Sequence, residues 1–306
     1  MIVIVLAAAG LLVDGGVGGP GSPTALTDGG QPVDAGRFAP GSCVAYAPTA
    51  DDLGKTVFLD AGHGGIDPGA VGTTRSGATI HEADETLPVE LEAMSLLRAA
   101  GYRVIVSRTR PATVVKLSPA DLGGGTLSLR GAHDDVVARD LCADEAVADV
   151  LVGIYYDAGA SARNAGSITA YDADRSFAAA NLRLARLVQH DVLVRMNAQG
   201  WAIPDDGVHT DSQLGSLSGD PTSGGIAAQA AAYHHLLLLG PAQGGYFATP
   251  STMPGAVIEP LYISDPFEAS IAASAQGQRV IAQGVATAIE TYLAPRPTAA
   301  TSGPSS

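Results

Sequence analysis

Six short apolar runs, alternating with stretches of helical spacing, restrict this chain more than any other feature. The runs lie at residues 56–60, 103–107, 149–155, 167–171, 236–239 and 256–259. Between them, apolar residues recur every three or four positions over 87–100 (Leu87, Leu91, Met94, Leu97), 134–148, 177–196 and 271–293. Pro88 is tolerated in a first helical turn, and Gly101 stops that helix. Alternation of this kind predicts an α/β fold: a single domain with a mostly parallel (mixed) sheet of about six strands and helices on both faces. Sites in such sheets form at the carboxyl ends of strands.

The patterned region spans residues 55–294, and 46% hydrophobic composition supplies a full core. Residues 1–20 hold an apolar, signal-like segment. Its run, Met1 to Val13, is shorter than the roughly 20 residues that cross a bilayer, although no basic residue precedes it. Export to a cell wall or periplasm-like space is the expectation, with no transmembrane domain in the mature chain. Residues 21–54 read as a flexible linker that becomes ordered near Cys43, 198–225 as a polar loop or lid insertion, and 295–306 as a disordered tail. A net charge of −14 without a basic stripe excludes nucleic acid as a partner. A monomer is expected. The two cysteines, Cys43 and Cys142, either close a disulfide loop near 100 residues long or stand as buried thiols.

Three segments carry residues suited to chemistry. His63 lies in the glycine-rich stretch that follows the first run, where an imidazole meets little backbone bulk. A phosphate cradle is the competing reading, but no P-loop lysine follows. Glu82 stands just before the first helix, either as a ligand at the same edge or as an ordinary helix-start acid. Glu259 ends an apolar run, where an unpaired carboxylate is expensive to bury. Trp201, Asp205, Asp206 and Gly207 shape either a substrate groove or a plain surface loop. His81, His133, His190, His209, His234 and His235 read as solvated or core histidines rather than ligands.

Together these segments resemble the zinc-dependent N-acetylmuramoyl-L-alanine amidases, amidase type 3. The matches are the loop Asp60-Ala-Gly-His-Gly-Gly-Ile-Asp-Pro-Gly-Ala70, Glu82 with Leu87, the stretch 97–108, Arg139 to Asp144, and Glu259-Pro-Leu-Tyr-Ile-Ser-Asp265. The resemblance implies a Zn2+ cofactor held by His63, Glu82 and one further ligand. It implies Glu259 as general base, and peptidoglycan stem peptide and glycan as the partner. The implied reaction cuts the bond between N-acetylmuramic acid and L-alanine with a zinc-activated water.

One position departs from that pattern. Tyr155 stands where the family places its second ligand histidine. Three arrangements are open: Tyr155 ligates as a phenolate, Asp157 two residues on reaches the metal, or no zinc binds. In the last case the chain is a catalytically silent peptidoglycan-binding or regulatory module.

Overall fold

The computed structural model describes residues 29–214, 222 and 224–295; the signal-like segment 1–20 and all but the first residue of the tail lie outside them. In chain order the described strands are β1 (Gln31–Pro32), β2 (Ser42–Tyr46), β3 (Thr56–Ala61), β4 (Val71–Thr73), β5 (Thr79–His81), β6 (Arg103–Arg108), β7 (Leu122–Gly123), β8 (Thr126–Leu127), β9 (Val150–Ile154), β10 (Ser167–Tyr171), β11 (Asp205–Thr210) and β12 (Gly255–Glu259). The helices are α1 (Glu82–Ala99), α2 (Leu129–Glu145), α3 (Ala178–Asn197), α4 (Asp211–Leu214), α5 (Gly225–Ala232), α6 (Pro266–Ala272) and α7 (Ala275–Leu293).

Eight strands form one sheet in the order β1-β2-β6-β3-β9-β12-β10-β11. The four central strands are parallel, and β10 runs antiparallel to β12. Side chains alternate across it, as the pleat requires. Val57 and Leu59 face a core built with α1, α3 and α7. Phe58, Ile105, Leu151 and Val257 face the other core, with Ala138, Cys142 and Ala143 of α2. Both sheet faces are therefore covered, and the carboxyl ends of β3, β9 and β12 meet at one edge.

The sheet has eight strands rather than about six, and three differences account for the count. β1 and β2 come from the segment read as a linker: β2 pairs antiparallel with β6, and Cys43 is joined to Cys142 of α2. β11 arises inside the stretch read as a loop or lid and pairs with β10. Residues 236–239 form no strand. They turn instead, with Leu239 N and Gly240 N both donating to Leu236 O. Leu237, Leu238 and Leu239 are buried all the same. An apolar run reports burial, and backbone pairing partners elsewhere decide whether buried chain is strand or turn.

The closing helix is also divided. Ser274 caps α7, its side chain accepting from Gly277 N, and this ends α6 two residues earlier. Helix α7 then crosses α3 so closely that a Cβ on Gly284 would lie 2.6 Å from Val192 Cα. Overfilling such a contact forces backbone movement. A Gly284→Val protein is expected to lose about 2–3 kcal/mol of stability, read as a lowered thermal midpoint. A midpoint at or above that of the parent would show that the two helices separate freely.

Candidate active site

The loop after β3 is built to present one imidazole. His63 adopts a φ of 58°, a left-handed conformation costly for a non-glycine residue. The neighbouring chain holds it there: Arg139 Nη2 donates to His63 O at 2.7 Å, and Gly64 exchanges backbone bonds with Asp67. Two glycines make room. A Cβ on Gly62 would strike the Tyr155 ring at 2.4 Å, and one on Gly69 would lie 2.6 Å from His63 Cδ2 and 2.7 Å from Glu82 Oε2.

Glu82 is the first residue of α1, and its carboxylate turns inward instead of capping the helix in solvent. Ala70 N donates to Oε2 and Tyr156 N to Oε1, each at 2.9 Å. So held, Glu82 Oε2 sits 3.2 Å from His63 Nε2. The other ring nitrogen, Nδ1, meets Asp67 Oδ2 at 2.8 Å. A carboxylate on the remote nitrogen is the arrangement that orients metal-binding histidines. Burial opposes charge on this imidazole, but Glu82 and Asp67 outweigh it and push His63 up to about 10. Burial also works against ionised Asp67, and His63 with the Gly69 amide more than offsets it, holding that carboxyl below its ordinary range.

Two further carboxyls come from the ends of β9 and β12. Asp157 bridges to Tyr262 through its backbone, and neither oxygen of its buried side chain makes a well-aligned hydrogen bond. It neighbours Glu259 and the Tyr262 hydroxyl, and burial raises its carboxyl above the usual range. Glu259 is 5% exposed. Burial, then the charges of Asp157 and Glu82, push it well above an ordinary glutamate. His63, Glu82, Tyr155, Asp157 and Glu259 all line one cavity, closed on its apolar side by Leu236, Leu237 and Leu238. Four carboxyls, Asp67, Glu82, Asp157 and Glu259, share the surroundings of one imidazole; ionised together they would exceed its charge, and a divalent cation would balance them.

Tyr155 shares this cavity but spends its hydroxyl elsewhere. The hydroxyl donates to Asp60 Oδ2 at 2.9 Å, and the ring stands edge-on to His63 with centroids 5.6 Å apart. Burial first, then the Asp60 carboxylate, raises its pKa well above the usual 10, so the phenolate is disfavoured. Asp60 in turn accepts from Arg139, which Asp135 also grips. Among the described residues, no third His, Cys, Asp or Glu donor atom lies within 4.8 Å of both His63 Nε2 and Glu82 Oε2. The first two proposed ligands are thus in contact, while Asp157 and Glu259 line the same cavity farther off.

Some contributors carried no assigned role in the sequence reading. Asp67 and Arg139 both stood in matched motifs, and their spacing was the available signal. Arg108, fully buried, ties the loop to α1 by donating to Gly62 O, Ala83 O and Thr86 Oγ1. The leucines at 236–238 gave no hint of lining a site. Trp201 packs against the α1–α3–α7 core, and Asp205, Asp206 and Gly207 lie in β11; Asp206 meets the Tyr262 hydroxyl, which also neighbours Asp157.

Comparison with known proteins places this arrangement in context. Residues 57–291 match the family model described as N-acetylmuramoyl-L-alanine amidase, amidase type 3. The chain is 24% identical over 240 residues to the germination-specific N-acetylmuramoyl-L-alanine amidase of Bacillus subtilis (strain 168), covering 78% of this chain and 80% of that one. Its fold is similar to the CwlD amidase of Clostridioides difficile, solved with the GerS lipoprotein, at a TM-score of 0.56 and 20% identity, over 78% of this chain and 98% of that one. It is also similar to the CwlV catalytic domain from Bacillus (Paenibacillus) polymyxa var. colistinus, at a TM-score of 0.51 and 23% identity, over 78% and 98% of the two chains.

Proposed function

The chain belongs to the N-acetylmuramoyl-L-alanine amidase family, and we propose that it hydrolyses the amide joining N-acetylmuramic acid to L-alanine in peptidoglycan. The observation that carries this reading is the convergence of His63, Glu82, Asp157 and Glu259 on one cavity at the carboxyl edge of the sheet. Two donors suit zinc as they stand, an imidazole nitrogen and a carboxylate oxygen 3.2 Å apart, each braced by its own partners; Asp157, buried and lining the same cavity, would have to move toward them to complete the set. His63 and Glu82 would hold Zn2+, with Asp157 as third ligand in place of Tyr155. Bound there, the ion supplies Lewis acidity toward the scissile carbonyl.

The chain's own groups do the rest. Glu259, in its ionised form, would accept a proton from the attacking water and return it to the departing amine nitrogen. Asp67 keeps His63 in one orientation, and the two amides on Glu82 keep its carboxylate aimed at that imidazole. The leucines at 236–238 exclude bulk water on one side, which strengthens the electrostatic contacts inside. The substrate lies outside the cytoplasmic membrane, so we propose that the chain is exported and acts there as a monomer. The buried Cys43–Cys142 disulfide suits an oxidising compartment. Among the described residues no helix is long and apolar enough to cross a membrane.

A second reading, a silent wall-binding or regulatory module, draws on one observation: the Tyr155 hydroxyl, at the position where the resemblance implies a ligand histidine, is committed to Asp60. Zinc titration of two variants separates the readings. Tyr155→Phe is expected to keep zinc affinity within about twofold, while Asp157→Asn loses at least about tenfold. The reverse pattern would make Tyr155 the ligand. A parent protein that sediments with purified sacculi, binds no zinc at His63 and releases no stem peptide would establish the silent module.

A further inference from the structure

At the opposite edge of the sheet a second group of donors closes around one point. Asp172 follows β10, Asp211 follows β11, and His235 lies just beyond α5. One donor atom from each falls within 4.8 Å of the others, the one such trio among the described residues. Since Ile168 pairs with Glu259 and Ala170 with Val257, Asp172 lies about four residues along the sheet from Glu259, roughly 13 Å. The trio is therefore separate from the His63 cavity.

The details favour a cation over a simple ion pair. Asp172 is fully buried. Its Oδ1 is occupied, accepting from Asp174 N at 2.7 Å and Arg175 N at 2.8 Å. Its Oδ2 accepts no aligned hydrogen bond, yet lies 3.0 Å from His235 Nδ1. Asp211 Oδ2 is 3.3 Å from the same nitrogen. Zinc ligands about 2.0–2.2 Å from the metal in a tetrahedron stand roughly 3.3–3.5 Å apart, close to these separations. The outer nitrogen, Nε2, faces the exposed Asp174 carboxylate at 3.7 Å, beyond hydrogen-bond distance. Two buried aspartates also exceed the charge of one imidazolium. Burial first, then Asp172, pushes Asp211 up to about 7.

We propose that Asp172, Asp211 and His235 form a second, structural zinc site. Asp211 also accepts from Leu236 N at 3.1 Å, so the ion would fasten the segment whose next residues line the catalytic cavity. It would thereby join the ends of β10 and β11 to the turn at 235–240. The other groups facing the site are the Arg175 guanidinium, held by Leu239 O and Gly240 O, and the Tyr233 ring, 5.5 Å from that of His235.

The test uses the full chain carrying His63→Ala, which removes a ligand of the proposed catalytic site. Titrated with zinc chloride, this protein is expected to bind one equivalent. Its thermal midpoint should rise by about 5–10 °C at a hundredfold excess over Kd, relative to EDTA. Adding Asp211→Asn or His235→Gln should weaken that binding at least tenfold and abolish the shift. If His63→Ala does not fold, the parent serves instead: elemental mass spectrometry should find one zinc fewer per chain in His235→Gln than in the parent, and equal zinc in the two overturns the site. No zinc in folded His63→Ala, or zinc retained in both double variants, overturns the site. A midpoint that depends on pH but not on zinc would make His235 a protonated bridge between the aspartates and overturn it equally. Loss of amidase activity has no bearing on this result, so failure of the catalytic assignment is read separately.

Discussion

A Glu259→Gln protein is expected to release stem peptides from purified sacculi at least a hundredfold more slowly than its parent, while its zinc content and thermal midpoint hardly change. Positioned general bases contribute about 10²–10⁴ in rate. Glutamine keeps the shape and burial of the side chain but takes no proton from water at neutral pH. Glu259 sits on the last position of a central strand, 5% exposed, where the backbone fixes it and few conformers compete. The size of the effect rests on that rigidity, because an alternative base would have to reach the same water. Asp157 is the nearest candidate, and in our assignment it is occupied as a ligand. A rate within tenfold of the parent would remove Glu259 from the proton path and return that role to Asp157.

The second large effect is on stability. Cys43 and Cys142 are both fully buried, with Cα atoms 5.7 Å apart and a sequence separation of 99. In the chain-entropy account, closing a loop of that length restricts the unfolded ensemble by about 4.7 kcal/mol. Removing the crosslink should then lower the thermal midpoint by roughly 10–20 °C in a domain of this size. The double variant Cys43→Ser/Cys142→Ser checks this, alongside the parent unfolded with and without a reductant. Because β2 is joined to the sheet through β6 and to α2 through this bond, its loss should first loosen residues 29–54. Hydrogen exchange in that segment would rise before the rest of the domain unfolds. A midpoint shift below about 3 °C would mean that packing of the two side chains, rather than the crosslink, holds the edge.

Much of the site was readable along the chain because its residues stand where one local pattern gives way to another. His63 follows an apolar run, Glu82 opens a helix and Glu259 ends a strand. Periodicity marks those boundaries, and parallel α/β topology sends them to one edge. The strand count fell short for the same physical reason. β1 and β11 are edge strands, the first two residues long and the second polar, and β2 enters the sheet by pairing with β6 far along the chain, so no local signal reports them. Leu236 to Leu239 erred in the other direction, since burial alone resembled a strand.

From the order of its residues this protein's fold class and the placing of His63, Glu82 and Glu259 at one edge of the sheet could be read, because each depends on hydrophobic period and position within an element. Which way the Tyr155 hydroxyl turns, how Asp157 comes to lie beside Glu259 and Tyr262, how the cysteines meet, and the closure of Asp172, Asp211 and His235 depended on tertiary structure. Tyr155 and Asp60 are 95 residues apart, and Asp211 and Leu236 are 25 apart. Contacts of that span are set by how sheet, helices and turns stack in three dimensions, and side-chain direction follows the stacking.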